Sequence, residues 1–225
     1  MPLRISEAFF VSESIRIGGI FMSLKTTVAK KRGYTKELTK IAMLSAVAGV
    51  LMLLQTPLWF APNFYKLDFS EVAVLIGGFA MGPVAAIMIE FIKILLNFVL
   101  NGTVTGGVGE AANFVIGCAL VVPASYIYHR NKTMRSALIG LSVGIVTMVI
   151  FASLANYFVL LPVYARVYGV PIQFFVDMGN ALNGSITSLE SLVLFAVLPF
   201  NLVKGIAVSA VTVLLYKKVS PILHK

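Results

Sequence analysis

The chain is short of the residues that build soluble catalytic centres. Its one cysteine, Cys118, stands in an apolar run, so no internal disulfide can form and the residue reads as small packing. The two histidines, His129 and His224, are far apart beside basic residues at helix ends, and without a Cys/His cluster no metal site is expected. A Walker A sequence is absent, which excludes ATP hydrolysis by this chain itself. Nucleophile elbow, zinc-protease helix and Ser/His/Asp set are all missing, so an enzyme is not expected. Charge is scarce too: 12% of the 225 residues are Asp, Glu, Lys or Arg, against 59% hydrophobic, which is not the balance of an ordinary soluble domain. Acid inside the apolar runs is mainly Glu90, weak support for a proton relay. No internal repeat is evident, which removes support for the inverted-repeat architecture of many secondary transporters.

What is present is hydrophobic length. Mean hydropathy is +0.94, and several apolar runs approach the roughly 20 residues that a spanning helix needs. The short alternating segments of a barrel are not seen. The chain therefore reads as an all-α integral membrane protein of one domain, with six transmembrane helices near 36–54, 70–81, 83–100, 110–128, 136–164 and 188–216. Residues 1–35 form a basic cytoplasmic lead, 36–218 the helical domain and 219–225 a cytoplasmic tail. Gly18-Gly19 a few residues before Met22 reads as translated ribosome-binding sequence, so Met22 is the expected natural start.

The net charge of +9 is topological. Six helices place both termini and the turns at 82–83 and 129–135 on one side, which collects Lys25, Lys30, Lys31, Arg32, Lys36, Lys40, Arg130, Lys132, Arg135, Lys217, Lys218 and Lys225. The other side holds only Lys66 and Arg166 among basic residues. The positive-inside rule makes the first side cytoplasmic. The partner of this charge is the lipid bilayer, and no nucleic acid is expected.

Candidate sites are the polar residues at membrane depth. Asn201 and Lys204 are three apart and share a helix face in the last long apolar segment. Two readings fit them equally: a polar socket for a solute, or a snorkelling Lys and an Asn that bonds another helix. Asn156, alone in an apolar helix, leans towards interhelical hydrogen bonding. Glu90 and Lys93 are read as neutralising one another on a buried face. The loop 55–69 carries Pro57, Trp59, Pro62 and Tyr65, residues that break helices and suit a membrane interface, and it is able to cover something. Ser70 can cap the next helix, and Asp68 reads either as a solvated loop carboxylate or a cap, or as part of a site. Ala42 and Ala46, four apart, let another helix approach closely.

Four stretches in order carry a resemblance: Lys66-Leu-Asp-Phe-Ser-Glu71, the Gly82-Pro83 turn, Asn156-Tyr-Phe-Val-Leu-Leu-Pro-Val-Tyr164 and Pro199-Phe-Asn-Leu-Val-Lys-Gly205. Together the chain from about 36 to 218 resembles the riboflavin-specific substrate-binding (S) components of energy-coupling factor (ECF) vitamin transporters of the bacterial plasma membrane. That resemblance implies a six-helix bundle holding flavin near its outer face, under the loop between the first two helices. It implies that Asn156, Asn201 and Lys204 hydrogen-bond the isoalloxazine edge, whose carbonyls and imide N–H need both donors and acceptors. Trp59, Phe60, Tyr65 and Leu67 would cover the ring, with Asp68 near the ribityl hydroxyls. Ala42 and Ala46 would face the transmembrane coupling subunit, which carries two ATPase subunits, and transport would proceed by toppling of the S component. Riboflavin or FMN would be cargo, with no resident cofactor. A stand-alone secondary transporter, or an S component for another small polar vitamin, is the alternative.

Overall fold

The computed structural model describes residues 35–103 and 105–223. The expected start at Met22 and nearly all of the basic lead lie outside them. Two compact units divide the chain, Met1–Lys40 and Ile41–Lys225. Of the first, residues 35–40 are helical, and Thr39 Oγ1 donates to the Thr35 carbonyl at 2.9 Å. All that follows concerns the second unit.

Helix α1 covers residues 41–53 of that unit. The proline-rich segment after it is not bare loop: β1 (Thr56–Pro57) and β2 (Lys66–Leu67) form a two-residue antiparallel ladder with Thr56 opposite Leu67. Pro57, four residues past the last helical residue, disfavours continuation of the helix. Helix α2 (Ser70–Met81) then runs through the centre, packed against helices on several sides. It is apolar on all sides and buried from Ser70 to Phe79, as a helix without a solvent face must be. At 12 residues it rises about 18 Å, short of a bilayer core. Gly82, at φ +105°, turns the chain into α3 (Pro83–Asn101), where Pro83 occupies a first-turn position that needs no N–H partner.

Helix α4 (Val108–Arg130) and helix α5 (Met134–Tyr168) are the most intimately packed pair. The reason is Gly140 and Gly144 on α5. A Cβ there would sit 2.7 Å from the Ala124 carbonyl oxygen and 2.4 Å from that of Leu120, so only glycine admits the α4 backbone this closely. A short helix α6 (Gln173–Asn180) follows. It packs Phe175 and Val176 against Leu161, Ala165 and Leu192. Helix α7 comprises Leu189–Leu192, Val193–Val197 and Leu198–Leu223, and so continues into the segment expected as a tail.

Two long helices each contain one π turn, at Asn156–Leu160 in α5 and Val193–Val197 in α7. In both, a proline stands two residues beyond the turn, Pro162 and Pro199. Proline offers no N–H to the carbonyl four residues back and its ring crowds that carbonyl, so one wide turn before it lets the helix continue without breaking. This explains why α5 runs 35 residues, past the end expected near Tyr164.

Among the described residues, four helices are long and apolar enough to cross a membrane: Pro83–Asn101, Val108–Arg130, Met134–Tyr168 and Leu189–Tyr216. Large apolar side chains cover their outer faces, among them Val84, Val99, Phe158 and Leu214. A surface that greasy suits lipid rather than water.

Candidate binding site

The fold forms a partly open cavity of about 700 Å³, in the size range of pockets that take one small organic ligand. Five sequence-predicted residues line it together: Tyr65, Asp68, Asn156, Asn201 and Lys204. They arrive from the hairpin, α5 and α7. Both asparagines are fixed by the helix that carries them, Asn156 Nδ2 donating to the Ala152 carbonyl and Asn201 Nδ2 to the Val197 carbonyl, each at 2.8 Å. Asn156 opens one π turn and Asn201 bonds the last carbonyl of the other, so the irregular turns set where the amides stand. One N–H of each amide is thus committed and a second remains to donate.

Lys204 Nζ meets Asp68 Oδ2 at 2.8 Å, with both side chains about one-tenth exposed. Asp68 Oδ1 accepts from the Ser70 backbone N–H at 2.9 Å and from its hydroxyl. The expected capping role of Ser70 therefore falls to Asp68, which ties the hairpin to the first residue of α2. Burial alone would raise the Asp68 carboxyl, but the Lys204 and Lys93 charges and the hydrogen bonds from Lys204 and Ser70 override it and hold it well below the usual carboxylate range. Lys204 keeps two further N–H groups for a ligand. Tyr65 donates its hydroxyl to Asn156 Oδ1 at 2.7 Å. Burial, with Tyr164 nearby, pushes that hydroxyl well above the usual phenol range, so it stays a donor.

An aromatic wall adjoins this polar face. Tyr65 lies 5.4 Å from Phe200 and 4.4 Å from Phe64, which in turn meets Phe175 edge-on at 5.5 Å. Such a wall suits a flat, apolar-faced ring. Phe64, Phe175 and Phe200 have no sequence periodicity that marks them as a group; the hairpin and α6 bring them together.

Trp59 and Leu67 are placed differently from the expected ring cover. Trp59 is 88% exposed, edge-on to Phe60, and Leu67 is held in the two-residue ladder; neither lines the cavity. Tyr65, just before β2, does line it. Ala42 and Ala46 are exposed on α1, beside exposed Met43 and Val47.

Beneath the site lies a buried ionic cluster. Lys93 Nζ contacts Glu71 Oε1 at 2.8 Å and Glu90 Oε1 at 2.7 Å. The expected Glu90–Lys93 pairing is present, but Glu71, from α2, is a second partner that reading missed. Gly117 on α4 makes the room: a Cβ there would lie 2.2 Å from Glu90 Oε1. Glu71 and Gly117 also line the cavity, so the cluster forms part of its wall.

A second polar wall was not anticipated. It consists of Asn97 and Asn101 at the end of α3, Thr105 and Gly109 around the glycine-rich turn, and Glu110 and Asn113 at the start of α4. Asn101 Nδ2 donates to Asn97 Oδ1 at 2.7 Å.

A deep, one-ligand cavity with polar amides on spanning helices is the architecture of a membrane solute-binding protein. Residues 36–216 match the family model described as "ECF transporter, substrate-specific component", and the chain belongs to this family. It is 35% identical over 190 residues to a protein of Staphylococcus aureus (strain TCH60) named "Riboflavin transporter RibU", covering 84% of this chain and 93% of that one. To the "Riboflavin transporter FmnP" of Bacillus subtilis (strain 168) it is 34% identical over 187 residues, covering 83% of this chain and 93% of the relative. A solved structure described as "Structure and mechanism of the S component of a bacterial ECF transporter" superposes with TM-score 0.65 at 34% identity, spanning 85% of this chain and 99% of that one.

Proposed function

We propose that the chain binds riboflavin in this cavity and carries it across the bacterial plasma membrane as an S component, energised by partner ATPases through a transmembrane coupling subunit. The observation that carries this reading is the convergence of Asn156, Asn201 and Lys204 beside an aromatic wall. Two amides, each with an uncommitted N–H, and a lysine with two suit the alternating carbonyls and imide of an isoalloxazine edge. The aromatic wall suits its face. Names of relatives more than 80% covered by the match support the same ligand.

Six crossings, α1 to α5 and α7, with both termini cytoplasmic, agree with the positive-inside distribution. The exposed Ala42 and Ala46 on α1 are proposed as the surface for the coupling subunit, since small residues let a partner helix approach closely. Titration of flavin-stripped protein in detergent with riboflavin, followed by quenching of flavin fluorescence, tests the binding reading. Asn201→Ala and Lys204→Ala each remove one or two ligand hydrogen bonds, worth about 1–3 kcal/mol, and weaken binding by about 5- to 150-fold. Wild-type affinity in both variants would remove these residues from the site.

A further inference from the structure

The two asparagines of the site differ in how their amides are held. Among the described residues, Asn201 makes one side-chain hydrogen bond, from Nδ2 to the Val197 carbonyl. Asn156 makes two: Nδ2 donates to the Ala152 carbonyl at 2.8 Å, and Oδ1 accepts from the Tyr65 hydroxyl at 2.7 Å. A backbone carbonyl can only accept, so the amide nitrogen must face Ala152 and the oxygen must face Tyr65. The tyrosine is therefore the donor. One hydrogen bond leaves a planar amide free to turn about it, whereas two fix its plane.

The second bond comes from a residue 91 positions away that is itself firmly held. The Tyr65 N–H closes a turn on the Pro62 carbonyl at 2.9 Å, and the next two residues, Lys66 and Leu67, enter the hairpin ladder. The Tyr65 ring packs on Phe64 and Phe200, with centroids 4.4 and 5.4 Å away. Backbone and ring are thus both constrained, and the hydroxyl rests on the Asn156 oxygen. What stays uncommitted on Asn156 is one N–H and one lone pair, in a side chain that lines the cavity.

We infer that Tyr65 is a positioning residue for the ligand: its hydroxyl fixes the Asn156 amide so that the remaining N–H serves one carbonyl of the bound ring. The inference rests on the riboflavin reading of the cavity. A donor held in place before the ligand arrives has little freedom left to lose on binding, whereas an amide on a single bond must be ordered at that moment. The body of Tyr65 belongs to the aromatic wall, and its hydroxyl acts through Asn156.

The test is a set of riboflavin titrations of wild type, Tyr65→Phe, Asn156→Ala, Asn201→Ala and the two double variants that add Tyr65→Phe to each asparagine change. Tyr65→Phe keeps the ring and deletes only the hydroxyl. It weakens binding about fivefold, the equivalent of one ordinary hydrogen bond. In the Asn156→Ala background it has no further effect, because nothing is left to position, while in the Asn201→Ala background the whole loss persists. Infrared spectra of bound riboflavin, isotopically labelled at one ring carbonyl or the other, give a readout that packing alone does not reproduce. A hydrogen bond lowers a carbonyl's stretching frequency, so Tyr65→Phe raises the same band that Asn156→Ala raises and leaves the other in place. Equal weakening by Tyr65→Phe in every background assigns the hydroxyl to the ligand or to the wall, and overturns the inference while the flavin reading stands. Undiminished riboflavin affinity in Tyr65→Phe overturns it too, as does a Tyr65→Phe protein that no longer folds, whose hydroxyl would then be structural. Wild type that binds no riboflavin overturns the reading of the cavity and the inference with it.

Discussion

Gly117→Ala adds one methyl group at the point where α4 faces the Glu71–Lys93–Glu90 cluster. By propensity alone the change should stabilise a helix by nearly 1 kcal/mol. The structure requires the opposite. The new Cβ would fall 2.2 Å from Glu90 Oε1 and 2.7 Å from its Cδ, distances that no carbon contact tolerates. Glu90 is fully buried, so its carboxylate cannot swing into solvent. It must leave Lys93, whose Nζ lies 2.7 Å away, or push α4 off α3. Breaking a buried ion pair costs about 3–5 kcal/mol, because it strands a charge. Taking the lower end, and about 2–4 °C per kcal/mol for a chain of this size, Tm falls by roughly 6–12 °C. Thermal unfolding in one detergent reads this directly. Gly184→Ala, where a Cβ meets nothing within 4 Å, is the control and should leave Tm in place. Combining Gly117→Ala with Glu90→Ala removes the atoms that the methyl strikes, so most of the added penalty disappears. A penalty of equal size in both backgrounds would refute the steric argument.

Other outcomes follow from single contacts. Gly144→Val drives a side chain into the Leu120 carbonyl, 2.4 Å from even a Cβ, and should prevent α4 and α5 from packing, seen as loss of monodisperse protein on size exclusion. Asp68→Asn leaves Lys204 buried without its counter-charge and should cost about 3–5 kcal/mol, read as a fall in Tm. Because the folded-state carboxyl is depressed, the pair's contribution is complete above the unfolded value, near pH 3.9, and is lost only as pH falls through the lower folded value. The Tm difference between wild type and Asp68→Asn should therefore stay constant from neutral to about pH 5 and shrink progressively only below that, whereas a difference that is already shrinking near pH 6 would contradict the assignment. Trp59→Ala removes a ring that is 88% exposed and outside the cavity lining, and should leave riboflavin affinity within about twofold by titration.

Local chemistry was well written in the sequence. Helix α2 begins at Ser70 and ends at Met81 as expected, because a polar entry and a Gly-Pro exit are local signals. Asn156, Asn201 and Lys204 stood out because polar groups in apolar runs are rare, and the fold brings them to one cavity. Partnerships between helices were less legible. Nothing in the 22 residues from Glu71 to Lys93 says that the two meet. The pairing of Asp68 with Lys204, 136 residues later, was equally hidden. The π turns did leave a trace, a proline six residues after each begins, but prolines also end helices. The wall of Asn97, Asn101, Glu110 and Asn113 was split between a helix end, a glycine-rich turn and a helix start, so no single window contained it. Aromatic character in a covering loop does not say which way a ring points: Trp59 is 88% exposed, whereas Tyr65 lines the cavity.

The central claim, that this cavity is built for riboflavin, is met most directly by the visible absorption spectrum of the protein as purified in detergent and again after refilling with riboflavin and gel filtration. The account predicts flavin bands that travel with the protein at one flavin per chain and disappear in the Asn201→Ala, Lys204→Ala double variant. Protein that stays colourless after refilling, while remaining folded by thermal unfolding, would contradict it.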